Sequence, residues 1–307
     1  MTKAPTQIGA SVRARLLKLA RERKEDFQLV LTRYANERLL YRLATSPHRN
    51  NFVLKGAALF TLWTGTPHRA TRDLDLLGFG NHDDDWVSKV FAEILTSAVI
   101  DDGVDFDART LSVAPIREDQ EYGGIRVLID AQITAARIKL QVDVGFGDAV
   151  TPTPELVDFP TLLDFPAPTL RAYPRETVVA EKLDAMVQLG LANSRMKDFF
   201  DIRLLSRLFE FDGTTLAQAV AATFARRGTP LPVELPIALT QEFSADKGKE
   251  TQWTAFVRKA GLSTTSGTLP EVVAELRDFL EPVIAAAREQ VPWLTRWPAG
   301  GPWRSGK

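Results

Sequence analysis

Two aspartates one residue apart, Asp73 and Asp75, are the first place in this 307-residue chain where chemistry is suggested. The run Thr71-Arg72-Asp73-Leu74-Asp75-Leu76-Leu77 alternates as a half-buried strand does. Both carboxylates then share one face, while Leu74 and Leu76 point to the other. Like charges held side by side repel, and water or a divalent cation must neutralise them. Magnesium, a hard cation that prefers oxygen, suits a carboxylate pair completed by substrate phosphates. Taken alone, the pair also fits two solvated aspartates on an exposed strand.

Gly56 adds to the case. It lies between the short apolar run 51–54, read as a strand, and Ala57-Ala58-Leu59-Phe60-Thr61-Leu62-Trp63, read as a short helix ended by Gly65. A glycine at the opening of a helix lets an anion approach unpaired backbone amides. Lys55 and Arg69 can add positive charge there. A glycine turn for a triphosphate and an acidic pair for its metal together describe one site for nucleotidyl transfer. A third carboxylate, Asp143, shares a strand face with Lys139 and Gln141, opposite Ile138, Leu140, Val142 and Val144. Such an acid can help bind a second ion; the same pattern also suits a solvated face.

Helices and strands place these residues. Helical spacing of apolar residues over 11–44 predicts one long or two shorter amphipathic helices. Six Lys or Arg stand between Arg13 and Lys24 against one Glu, either an RNA-facing stripe or a solvated face. Strands are expected over 71–77, 106–114, 125–133 and 138–146, with a helix over 86–99 and a hairpin across Ala135-Ala136. Six prolines between 151 and 174 predict a strap or linker at a domain boundary. Helices follow over 175–189, 196–209, 215–225, 251–260 and 269–287. The tail is expected to fray unless Trp293, Trp297 and Trp303 dock. The fold class is α+β (mixed α/β).

Composition narrows the functions. A net charge of -1 excludes a polybasic nucleic-acid coat, and the absence of cysteine excludes disulfides, thiolate nucleophiles and Cys-ligated metals. His48, His68 and His82 have no metal-ligand spacing. No leader or membrane span is legible, so a soluble, cytoplasmic protein is expected.

Beyond the prolines come Ala180-Glu181-Lys182-Leu183-Asp184-Ala185 and Arg195-Met196-Lys197-Asp198-Phe199-Phe200-Asp201. Alone they read as ordinary helix, with Lys197 and Asp201 as an i,i+4 pair. Taken in order with Lys55-Gly56 and the Arg69-to-Asp75 run, they resemble the AbiEii toxin family of nucleotidyltransferases, which includes the MenT toxins. The resemblance spans roughly 27–209. It implies a DNA polymerase β-like nucleotidyltransferase domain with a helical cover (1–150), the proline-rich linker (151–174) and a helical domain (175–307). It also implies a type IV toxin–antitoxin role with a cognate antitoxin from an adjacent gene, magnesium as cofactor, an NTP substrate and, from the MenT members, tRNA as acceptor. Asp73 and Asp75 take the metal-binding and catalytic positions, Lys182 that of the family's helical lysine and Asp198 that of its acid; Lys55, Gly56, Arg69, Thr71 and Lys182 would bind substrate. Where the family often has Gly-Gly, this chain has Gly56-Ala57, so a non-catalytic NTP-binding module stays open beside transfer to a small molecule or protein hydroxyl.

Overall fold

Local pattern and element agree over most of the computed structural model, which describes residues 7–66, 71, 73–116, 124–262 and 266–306. The chain divides into two units, 1–147 with 155–172, and 148–154 with 173–307.

Unit 1 begins with two helices, α1 (Gln7–Arg23) and α2 (Phe27–Thr45). The helical pattern over 11–44 is broken at Lys24, whose φ is 55°, and restarts at Asp26, whose carboxylate caps the Leu29 N–H. Then come β1 (Phe52–Lys55), α3 (Ala58–Thr64), β2 (Leu74–Gly78), α4 (Asp84–Leu95), β3 (Asp105–Ile116), β4 (Gly124–Ile133) and β5 (Ala136–Phe146). The unit is completed by β6 (Glu155–Asp158) and β7 (Thr169–Ala172). Together these make a seven-stranded mixed sheet in the order β3-β4-β5-β2-β1-β7-β6. Helix α1 packs on β4, α2 on β5 and α4 on β3.

The proline-rich stretch is thus corrected from strap to sheet: two strands lie within it. Its prolines, at 152, 154, 160, 166, 168 and 174, all fall outside those strands, where no ladder N–H is needed. The hairpin is confirmed, with its two-residue loop at Thr134-Ala135 because Ile133 pairs with Ala136.

The segment between β6 and β7 is fastened by α2. The Leu162 N–H donates to Glu37 Oε2 at 2.7 Å, and Arg38 donates to the Pro166 carbonyl at 3.0 Å. Glu37 and Arg38 pair at 2.7 Å and are 1% and 0% exposed. Arg38 also lies over the rings of Tyr34, Tyr41 and Phe165.

Unit 2 is mainly helical: α5 (Arg175–Leu189), α6 (Met196–Leu208), β8 (Phe211–Asp212), α7 (Gly213–Arg227), α8 (Gln241–Ser244), α9 (Lys247–Lys259) and α10 (Leu269–Glu289). Helix starts follow the caps, Asp212 for α7, Asp246 for α9, and a Thr268–Glu271 capping box for α10. The tail does not fray. Strand β9 (Thr295–Trp297) pairs with β8 on one side and with β10 (Arg304–Ser305) on the other, in a small sheet. Trp297 donates its indole N–H to the Ser206 carbonyl, and Trp303 stacks on Phe279.

Two expectations follow from this fold. Thr134 holds a φ of 55°, a region costly for a β-branched residue, so Thr134→Gly should raise stability by about 1 kcal/mol; a denaturant midpoint that falls would contradict it. Burial pushes the Glu37 carboxyl from 4.5 up to about 7 against the opposing pull of Arg38. The folded chain therefore binds a proton that the unfolded chain releases between those pH values. This contribution is complete below about pH 4.5 and lost as pH rises through 7, by about 3 kcal/mol in all. The stability difference between wild type and Glu37→Gln, followed by urea unfolding from pH 5 to 8, should shift toward the variant as pH rises.

Candidate active site

The first constellation is assembled by strand register. In the antiparallel β1–β2 pair Lys55 stands opposite Asp75, in the parallel β2–β5 pair Asp75 stands beside Asp143, and in β4–β5 Asp143 faces Arg126. One row across four strands thus reads Lys55, Asp75, Asp143, Arg126, all half-buried. The next row, Leu54, Leu76, Val144 and Ile125, points to the opposite face and is buried throughout. Alternation of side chains about each strand makes the two rows inseparable.

Gly56 follows Lys55 with a φ of 73°, and a Cβ there would lie 1.9 Å from Asp75 Oδ2. Both conformation and space therefore demand glycine. Ala57, where the family often has a second glycine, has φ −70° and ψ −21°, right-handed helical values that cost alanine nothing. Asp73 is exposed just before β2, and its carbonyl accepts from the Thr71 hydroxyl at 3.4 Å. Arg69 lies outside the described residues.

Asp143 is held firmly. Arg126 grips it with two bonds of 2.9 and 2.8 Å, and the Gln141 amide donates to both its oxygens at 3.2 Å. Arg126 was not visible as a site residue in the sequence, because only register shows that it faces Asp143. Among the described residues no three acidic or histidine side chains gather as a metal cluster. The oxygen donors closest in kind to a magnesium site are Asp73 and Asp75, a pair that substrate phosphates would have to complete.

The second constellation is in unit 2. Lys182, in mid-α5, donates to Asp198 Oδ1 at 2.6 Å and to Asp201 Oδ2 at 2.9 Å. Arg195 closes the other side of Asp198 at 2.7 Å. Asp198 and Asp201 are 1% and 0% exposed. Burial alone would lower the Lys182 pKa, but the two carboxylates outweigh it and leave it raised, so the ammonium stays charged. Burial likewise would raise Asp198, yet Lys182 and Arg195 hold it below the usual carboxylate range. The expected Lys197–Asp201 pairing gives way to the buried pairing with Lys182. An i,i+4 spacing says nothing of a partner on another helix.

Beside this set, Arg227 at the end of α7 meets Asp148 at 2.9 Å, Asp184 at 3.0 Å and Glu181 at 3.5 Å. Nothing in the sequence marked Arg227. The Tyr173 hydroxyl is pushed well up by burial, with Glu181 and Asp148 adding to the effect.

The family model for the AbiEii nucleotidyl transferase toxin of type IV toxin–antitoxin systems matches residues 38–282. No curated protein sequence matches the chain significantly. Two solved structures from Helicobacter pylori, JHP933 and a chain provisionally named a nucleotidyltransferase, are each 16% identical with a TM-score of 0.48. Each match covers 84% of this chain, and 94% and 98% of theirs. No helix among the described residues is long and apolar enough to cross a membrane. A match over most of the chain, spanning the acidic strand, the buried lysine and its carboxylates, places this protein in the AbiEii nucleotidyltransferase toxin family.

Proposed function

We propose that this toxin moves a nucleoside monophosphate from an NTP to an acceptor hydroxyl, that the acceptor is the 3′ end of tRNA, and that it acts in the cytoplasm. The observation that carries the reading is the seating of the Asp75 carboxylate in the space a Gly56 side chain would occupy. It brings the backbone of a glycine turn and one carboxylate of the acidic pair to one point, as triphosphate chemistry requires.

The donor set fits magnesium: two carboxylates, Asp75 on β2 and Asp73 exposed just before it, with no softer ligand among them. Asp143 is the third carboxylate of the row, its charge offset by Arg126. Magnesium bound there would neutralise charge on the phosphates and acidify a nearby hydroxyl.

The chain's own residues do the rest. Lys55 and the Gly56 turn receive the triphosphate, with Arg69 and Thr71 as further substrate-binding residues. Lys182 supplies a permanent positive charge for the phosphates. Asp198, buried and saturated by Lys182 and Arg195, is a poor base and serves to orient the lysine. The acceptor oxygen attacks the α-phosphorus in line. The bond from α-phosphorus to the bridging oxygen breaks, pyrophosphate leaves and the hydroxyl proton passes to solvent. Membership of a type IV system supports a cognate antitoxin as partner, encoded in an adjacent gene.

Purified protein incubated with each α-labelled NTP, magnesium and total tRNA should label tRNA with one or more nucleotides. Asp75→Ala should reduce labelling by at least about 1,000-fold and Gly56→Ala by about 100-fold, both remaining folded by circular dichroism. Labelling by Asp75→Ala at the wild-type level, or none from any NTP, would sink the reading. Lys182→Ala leaves two buried carboxylates without their cation and should cost roughly 3–5 kcal/mol of stability. Lys182→Arg should keep the fold, as measured by thermal melting, and regain part of the transfer that Lys182→Ala loses.

A further inference from the structure

A cleft within unit 1 opens beside Asp73, bounded by α2, α3, the start of β2 and the segment 159–162. Its mouth is the exposed acid that the transfer reading assigns to the metal. Phe159 supplies an aromatic wall, and Asn36, Arg33 and Thr61 supply a polar edge. Arg33 Nη1 is held by Glu25 at 2.6 Å, while its Nε is buried without a hydrogen-bond partner. An aromatic wall beside a polar edge is the chemistry that takes an unstacked base.

The rim of the cleft carries a second signal. Arg23, in the last turn of α1, lines it. Behind Arg23 the helix exposes Arg13, Arg15, Lys18 and Arg21, while Val12, Leu16 and Ala20 are buried. Arg15 is paired with Asp164 at 2.9 Å, and Lys18 approaches Glu22 at 3.8 Å; both acids are largely exposed. In a chain of net charge -1, this is a concentrated basic track that ends at the cleft. A free nucleotide carries its charge on its own triphosphate and has no use for such a track. A polynucleotide does, because successive phosphates must be held past the repulsion of Asp73 and Asp75.

We infer that this cleft receives the terminal base of a single-stranded RNA 3′ end, stacked near Phe159, with the preceding phosphates lying along the basic face of α1 from Arg23. The inference rests on the transfer reading for the identity of the acceptor, and deepens it by giving the acceptor a place. Arg23 is then a residue that separates acceptor from donor.

The test uses the full-length protein and an RNA hairpin with an unpaired four-nucleotide 3′ tail ending in 4-thiouridine. Irradiation should join the terminal base to peptides containing 33–40 or 159–162. Arg23→Glu should weaken RNA binding at least about tenfold and lower its salt dependence. Affinity for a fluorescent NTP with magnesium should stay within about twofold. Adducts elsewhere, RNA affinity unmoved by Arg23→Glu, or a parallel loss of NTP affinity would overturn the inference, the last result giving the cleft to the nucleotide. Adducts in the cleft without any transfer would remove the transfer reading and leave this one standing. Transfer to RNA that Arg23→Glu does not alter would do the reverse.

Discussion

The arrangement of unit 1 turns on a carboxylate occupying the place of an absent side chain. Asp75 can reach the turn after β1 only because residue 56 is glycine, and it lies there only because Lys55 and Asp75 are in register. That register is set by the neighbouring row, where Leu54, Leu76, Val144 and Ile125 fill the core. A slip of one residue would drive the aspartates inward and the leucines out, at a cost far beyond that of any one hydrogen bond. The chemistry of the polar face is thus fixed from the apolar face of the same strands. Ala57 belongs to the same logic: its helical backbone leaves the turn intact, which removes the main argument for a module that has lost its chemistry.

Unit 2 solves a different problem, that of keeping charges where water is scarce. Helix α5 contributes Glu181, Lys182 and Asp184 within a single turn, and sends them to separate partners. Lys182 turns to Asp198 and Asp201, whereas Glu181 and Asp184 turn to Arg227, which Asp148 also meets. Ion pairs of this kind repay their desolvation only when every member is present, so they define positions more than they add stability. A lysine gripped by two carboxylates keeps both its charge and its direction.

Much of this was legible in the sequence, for reasons that separate local from distant information. Alternation gave the strands around Asp75 and Asp143, and capping residues with helical spacing gave most of the helices. Asp73, Asp75, Lys182 and Asp198 carried the family pattern in their order along the chain. What escaped depended on partners far away. The strands at 155–158 and 169–172 are short, and only pairing with β1 and with each other makes them strands. Arg126 and Asp201 looked ordinary until their opposite numbers, Asp143 and Lys182, were placed. The tail looked frayed because its order comes from tryptophans that meet Phe279 and the Ser206 carbonyl.

The chain passes between its two units three times, after Gly147, Pro154 and Ala172. On the ribosome, residues 1–147 therefore emerge with β1 as an outer strand, its Phe52-Val53-Leu54 backbone unpaired along one side. An open apolar edge of that kind invites the wrong neighbour. It is closed only when β7 arrives, some twenty-five residues later in synthesis, and β6 then lies outside β7 as the finished border. The nascent toxin thus spends an interval with the β1 edge exposed, and a binder present during translation would meet a surface that the finished protein no longer has.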